Sequence, residues 1–297
     1  MELAATLKVA RSVAPGYWRQ YRSERARPIE CAPNLPQPLL WPDSGLHAAW
    51  LGHSTVLLKV DGFTILTDPV LGSRCGVRVG PMTVGLKRLV APALVRAQLP
   101  AIDLILLSHA HFDHLDQATL RALEASGTSV ITAPSTSDLL RVDRYGSVRE
   151  LSWGQHLEVG PAKVRALQVS HWGARMQTDT HRGYNGYLIE TGGRRIVFGG
   201  DTAYTDSFRS VRGTRAVDLA IMPIGAYDPW IRVHCNPEQA WRMAQDCGTA
   251  AILPVHHKTF KLSREPLAEP IERLLTAAGA DTSAVILQDI GQEWTGC

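Results

Sequence analysis

Cysteine is scarce in this chain and badly placed for structural work. The five cysteines, Cys31, Cys75, Cys235, Cys247 and Cys297, are odd in number and scattered, and no two have CxxC spacing. That excludes a disulfide framework and a cysteine zinc cluster, and it fits a reducing, cytoplasmic compartment. No apolar run approaches the roughly 18 residues needed to span a bilayer. A secretory leader is not expected either, because Glu2 spoils its start and Lys8 and Arg11 interrupt the apolar stretch. Charge of one sign is also in short supply. The 31 Lys and Arg stand against 28 Asp and Glu, a net charge of +3, so nucleic acid is not expected as a partner. Only 6 of the 31 are Lys, which reads as a compositional bias rather than a functional signal. Gly199-Gly200 ends a strand pattern, but GxGxxG and a Gly-rich phosphate loop are both missing, which argues against a dinucleotide or P-loop enzyme.

What is present is ordinary globular composition, 45% hydrophobic and 20% charged over 297 residues, enough chain to bury a core around a site. Residues 1–42 read as an N-terminal helix and a Pro-rich connector, and 43–297 as the main domain. Leu3, Leu7, Ala10, Ala14 and Trp18 recur at helical spacing, with Lys8, Arg11, Arg19, Arg22, Arg25 and Arg27 off the stripe or after it. A helix docked on the main domain is the expectation. Peripheral contact with an anionic membrane surface is the alternative. Pro28, Pro33, Pro36, Pro38 and Pro42 then make an extended segment.

From Leu46 onward one plan is used twice. Val56–Val60 and Phe63–Leu66 flank Asp61-Gly62, and Tyr187–Glu190 and Arg194–Phe198 flank Thr191-Gly192-Gly193, so two hairpins are predicted. Each runs into an aspartate, Asp68 or Asp201. Each is followed by an apolar strand, Ile102–Leu107 or Val217–Met222. A capped helix comes next, Asp116–Ser126 or Pro237–Cys247, and then a further strand, Ser129–Thr132 or Ala250–Pro254. Two such halves bury their sheets most economically as an α/β, four-layer αβ/βα sandwich with a site along one edge.

The chemistry is concentrated in Ser108-His109-Ala110-His111-Phe112-Asp113-His114, between an apolar strand and a helix cap. In extended chain His109 and His111 point the same way and can share a metal, while Asp113 and His114, after the turn, can hold a second. Imidazole with carboxylate suits zinc, iron or manganese better than calcium. Asp201, His171, and the pair His256 and His257 all follow strands and are candidates to complete the set. A carboxylate at Asp201 can bridge two metals.

The segment Ser-His-Ala-His-Phe-Asp-His resembles the HxHxDH signature of the metallo-β-lactamase superfamily. Trp50–Thr55, Leu66–Pro69, His171-Trp172, Gly200–Thr202, Ile224–Pro229, His234–Glu238 and Val255–Phe260 resemble a narrower branch, the N-acylphosphatidylethanolamine-hydrolysing phospholipase D family, and more distantly the ascorbate-6-phosphate lactonase group. The likeness spans about residues 40–270. It implies one metal on His109, His111 and His171, the other on Asp113, His114 and His256, and Asp201 between them. His257 stands where an aromatic residue is usual in the family, and its role stays open. Asp68 is implied behind the ligands, orienting an imidazole. His53, Trp172 and Tyr227 are implied to line the substrate site, and His234 to contact substrate or protonate a leaving group.

Two divalent ions about 3.5–4 Å apart lower the pKa of a shared water and clamp the oxygens that gain charge in hydrolysis. Two such ions bring +4 against −2 from Asp113 and Asp201, so an anionic small-molecule or phospholipid substrate is expected. The leading expectation is a zinc-dependent phosphodiesterase of phospholipase D type. A lactonase on a small, phosphorylated sugar acid and a non-hydrolytic metal-binding sensor are the alternatives.

Overall fold

A computed structural model describes residues 24, 26–79, 82–213 and 215–296. The N-terminal stripe from Leu3 to Trp18, with the docked helix expected there and the membrane contact that was its alternative, lies outside the described residues. Thirteen of the strands form two sheets. The first half contributes β1 (Leu46–Gly52), β2 (Thr55–Val60) and β3 (Phe63–Thr67), then a separate two-stranded ribbon, β4 (Arg74–Val79) and β5 (Met82–Lys87). It continues with β6 (Leu104–Leu107), helix α1 (Gln117–Ala122), β7 (Ser129–Thr132) and β8 (Ser147–Glu150). The second half runs β9 (His156–Val159), β10 (Ala162–Leu167), β11 (Gly186–Thr191), β12 (Arg194–Phe198), β13 (Leu219–Pro223), helix α2 (Pro237–Cys247) and β14 (Ile252–Val255). Helix α3 (Glu269–Ala278) follows, and β15 (Glu293–Gly296) returns to the edge of the first sheet.

The strand orders are β15-β1-β2-β3-β6-β7-β8 and β14-β13-β12-β11-β10-β9. The repeated plan is visible in the pairing. β2–β3 and β11–β12 are antiparallel hairpins, and each second strand pairs parallel with the next, β3 with β6 and β12 with β13. A helix then crosses over to a further parallel strand, β7 or β14. Both hairpin turns place two residues at positive φ, Asp61 and Gly62 in one, Gly192 and Gly193 in the other. That twist matches the strands it joins.

Alternation along the second sheet shows the layers. Tyr187, Ile189, Ile196, Phe198, Leu219, Ile221, Leu253 and Val255 pack against the first sheet. Their neighbours Leu188, Val197, Ala220, Met222 and Ile252 face Ala240, Met243, Ala244 and Cys247 of α2 and Ile271 and Leu274 of α3. Leu120 from α1 and Leu123 just past its end join the first cluster. The result is the αβ/βα sandwich.

Helix α2 occupies the expected residues because its cap is complete. Asn236 accepts from Gln239 N–H at 2.9 Å, Pro237 opens the helix, and Gly248 closes it at φ 72°. Helix α1 is shorter than predicted. Asp116 caps it as expected, but it stops at Ala122 instead of Ser126, and the chain turns early to enter β7. β6, β13 and β14 each begin two residues later than predicted. The Pro-rich residues 28–42 do not stand apart as a linker. Glu30 N–H donates to the Leu89 carbonyl and the Glu30 carbonyl accepts from Ala91 N–H, and Glu293 accepts from Gln37 N–H and Trp41 Nε1–H, both at 3.0 Å.

Candidate metal centre

Every strand that enters the site does so at the same edge of the sandwich. His53 lies in the β1–β2 turn and Asp68 just past β3. His109, His111, Asp113 and His114 follow β6, and His171 follows β10. Asp201 comes after β12, His234 after β13 and His256 directly after β14. Four of these stretches carry a non-glycine residue at positive φ: His53 at 54°, Asp68 at 32°, Ala226 at 64° and His256 at 64°. Strain of this kind persists only where the surroundings over-determine it, and it gathers at functional sites. Gly200 is required for the same reason, at φ 58°. A Cβ there would sit 2.6 Å from the Asn185 carbonyl oxygen and 2.9 Å from the Ser108 side chain.

Hydrogen bonds fix which ring nitrogen His109, His114 and His171 turn inward. Ser108 donates its N–H to Asp68 Oδ1 at 2.7 Å and its hydroxyl to Asp68 Oδ2 at 2.6 Å. His109 Nδ1–H then donates to the Ser108 oxygen at 2.8 Å, and His114 Nδ1–H to Asp68 Oδ2 at 2.7 Å. His171 Nδ1–H donates to the Val233 carbonyl at 2.8 Å. All three rings therefore present Nε2 to the centre. There His109 Nε2 lies 2.8 Å, and His171 Nε2 3.4 Å, from His111 Nδ1.

Asp201 Oδ2 is the hub. It is 3.1 Å from His114 Nε2 and from His256 Nε2, 3.8 Å from His171 Nε2 and from His234 Nδ1, and 4.0 Å from His109 Nε2. Asp113 Oδ2 lies 2.9 Å from His53 Nε2, 3.5 Å from His256 Nε2 and 3.6 Å from His114 Nε2. The donors fall into overlapping groups whose members lie within 4.8 Å of one another: the two expected ones, His109 with His111 and His171, and Asp113 with His114, His256 and His53, and beside them His171 with Asp201 and His234, and Asp68 with His109 and His114. All seven ligands expected from the sequence meet here.

The donor set fits divalent cations. His114 Nε2, Asp201 Oδ1, His234 Nδ1 and His256 Nε2 are buried without a hydrogen-bond partner. Orphaned polar atoms are costly, and here they converge on one another instead of on protein donors. Electrostatics point the same way. Burial pulls His114 and His256 down, but Asp201 and Asp113 outweigh it, leaving His114 well above its ordinary value and His256 at about 9. Burial pushes Asp113 and Asp201 up, and the facing histidines overcome it and hold both well below the carboxylate range. The carboxylates thus favour positive charge in a buried centre, a charge that a bound cation would supply.

The adjoining cavity has a volume of about 210 Å³ and is lined by His111, Asp113, Trp172, Asp201, Ala226, Trp230, His234, His256 and Leu262. Trp172 is on this wall as expected, its ring 4.6 Å from that of His111. Two other expected lining residues are not. His53 is 1% exposed behind Asp113. Tyr227 is turned away, its hydroxyl donating to Glu269 Oε1 at 2.6 Å. His234 is on the wall, but burial lowers it to about 4, so the ring is neutral at neutral pH rather than a ready acid. His257 stays out of these donor groups and stacks on Trp50 at 4.7 Å, taking the place of an aromatic ring.

Two contributors are not among the residues expected from the sequence. Ser108 links Asp68 to His109. Arg175 Nη1 donates to the carbonyls of Ala110 and Leu115 at 2.8 and 2.9 Å, tying the chain after His171 to the loop that carries four candidate ligands. Ser108 could have been suspected from its place at a strand end before the first histidine. Arg175 lies in an irregular stretch and could not.

Residues 64–257 match the family described as a beta-lactamase superfamily domain. The chain belongs to the metallo-β-lactamase superfamily. A Mycobacterium tuberculosis protein described as uncharacterized is 36% identical over 281 residues, covering 90% of this chain and 75% of the relative. The Caenorhabditis elegans N-acyl-phosphatidylethanolamine-hydrolyzing phospholipase D 1 is 30% identical over 275 residues, covering 85% of this chain and 76% of that protein. Among solved structures, Igni18, a metallo hydrolase from Ignicoccus hospitalis, superposes with a TM-score of 0.61 at 19% identity, covering 85% of this chain and 98% of that one. The chain is therefore a metal-dependent hydrolase of this superfamily, with its candidate metal-binding residues gathered at one edge. No helix among the described residues is long and apolar enough to cross a membrane.

Proposed function

We propose that the protein hydrolyses phosphodiesters, those of phospholipids included, with two divalent ions, zinc foremost and iron or manganese as alternatives. His109, His111 and His171 would hold one ion and Asp113, His114 and His256 the other, with Asp201 between them. The observation that carries this reading is Asp201 Oδ2 facing inward nitrogens of five histidines within 4.0 Å. Divalent ions in such a site supply an activated water near neutral pH and positive charge for the oxygens of an anionic ester.

The chain's own residues do the rest. Asp68, through Ser108 and His114, keeps the inward nitrogens aimed before any substrate arrives. Trp172, Trp230 and Leu262 give the cavity an apolar flank beside its polar floor. Such a flank suits the organic arms of a diester better than the small polar pocket that a sugar-acid lactone needs. The 30%-identical relative named as a phospholipase D supports the diester class. The full donor set weighs against a sensor that has lost its chemistry. A cytoplasmic location and contact with a membrane surface are part of the same reading, the latter as the route to a lipid substrate.

The test sets bis(p-nitrophenyl) phosphate beside a panel of lactones, with chelator-treated protein as control. Metal-dependent turnover of the diester is the expected result. Turnover of lactones without the diester would replace this reading with the lactonase one.

A further inference from the structure

His53 occupies an expensive place. It is a non-glycine residue at φ 54° in the two-residue turn between β1 and β2, a left-handed conformation that residues with a Cβ adopt only where the surroundings impose it. The turn is tied down on every side. His53 N–H donates to Thr259 Oγ1 at 2.6 Å, and its carbonyl accepts from Trp50 Nε1–H at 2.8 Å and from His256 N–H at 3.1 Å. The ring is wedged between His256, 4.2 Å away, and the edge of Phe260, 5.2 Å away. It is 1% exposed, and Asp113 Oδ2, at 2.9 Å, faces its Nε2.

A strained backbone and a buried imidazole held against one carboxylate imply that the carboxylate needs the imidazole. We infer that His53 is a positioning residue for Asp113, fixing one carboxylate oxygen so that the group offers a single orientation to the ion shared with His114 and His256. The same turn holds the main chain of His256, so one element sets two ligands of that ion and none of the other. The ion on His109, His111 and His171 has its own anchors in Ser108 and the Val233 carbonyl. The two ions should therefore differ in their dependence on His53.

This inference rests on the two-ion reading above. The test is chelator competition on the full-length protein, giving a dissociation constant for each ion in wild type, His53→Ala and His53→Gln, with cobalt absorption as a second readout. Removing a group that orients a ligand typically costs 10–100-fold in metal affinity. In His53→Ala the dissociation constant of one ion should rise by about that factor, with the other unchanged and the cobalt spectrum keeping its shape. His53→Gln retains an N–H donor and should recover most of the loss. Unchanged affinity in both variants overturns the inference while leaving two ions in wild type. Equal loss in both variants with a changed cobalt spectrum also overturns it, because His53 is then a ligand. Wild-type protein that binds fewer than two ions overturns the parent reading, and this inference with it.

Discussion

Asp68 and Asp201 stand at equivalent places in the two halves, each just past the second strand of a hairpin, and both are buried. Their surroundings differ completely. Asp68 is saturated: it accepts from Ser108 N–H, the Ser108 hydroxyl and His114 Nδ1–H. Burial lifts its pKa above the ordinary range, with His114 and Ser108 pulling against it. Asp201 keeps Oδ1 unpartnered and turns Oδ2 to bare ring nitrogens, and those histidines, against the effect of burial, hold it well below the ordinary range. The same position in a repeated plan serves once to anchor Ser108 and His114 and once to face the bare ring nitrogens of the candidate metal centre. The first half invests in a dense ligand loop and its support. The second half supplies single residues from three separate strand ends.

The comparison predicts different failures. Asp201→Asn should have the largest effect. In the proposed two-ion site the amide keeps the shape and loses the negative charge between the cations, so turnover should fall by about 10²–10³-fold. The variant should keep its fold by circular dichroism, and excess metal should not rescue it. Wild-type turnover in a metal-loaded variant would remove Asp201 from the centre.

Asp68→Asn should fail more gently and differently. Its amide NH₂ would face Ser108 N–H in place of Oδ1 or, in place of Oδ2, both the Ser108 hydroxyl hydrogen and His114 Nδ1–H, donor against donor either way. The network that anchors His114 and His109 is broken, and metal affinity should drop by about 10–100-fold. Adding metal should restore much of the activity. Turnover that stays low at saturating metal would make the two aspartates equivalent after all and break the comparison.

The sequence made this contrast only half legible. HxHxDH declares itself because four donors fall within six residues, and a strand and a cap bracket them. The hairpins declare themselves through Asp61-Gly62 and Gly192-Gly193, where few residues accept positive φ. The partner of His53 was invisible because Asp113 is 60 residues away and the contact depends on packing. The ribbon β4–β5 was missed because Arg74–Val79 mixes charge, cysteine, glycine and single valines with no apolar alternation to mark a strand. Helix α3 was legible and unread: Pro270 near its start, Glu269 and Glu272 in its first turn and Gly279 at its end are ordinary signals.

His234 tests the second half's contribution to chemistry rather than to metal. A proton donor would make His234→Ala cost about 10²–10⁴-fold with a poor leaving group and much less with p-nitrophenolate. Burial holds this ring neutral, so we expect instead a loss of roughly 10-fold that is the same for both, the size of one hydrogen bond. A loss that shrinks with p-nitrophenolate would restore the proton-donor role.

The smallest effect belongs to the far end of the sandwich, where the two hairpin turns lie. Gly193 has φ 71°, and a Cβ there would meet only Arg215 Nη2, at 3.9 Å. Gly193→Ala should therefore cost backbone strain alone, about 1 kcal/mol, and lower the melting temperature by roughly 2–4 °C. Asp201 lies at the opposite end of β12, whose five residues, Arg194–Phe198, separate the turn from the site. Metal content and turnover should stay at wild-type levels. A fall in metal affinity in Gly193→Ala would show that β12 transmits its register to Asp201, and that hairpin and site are not independent.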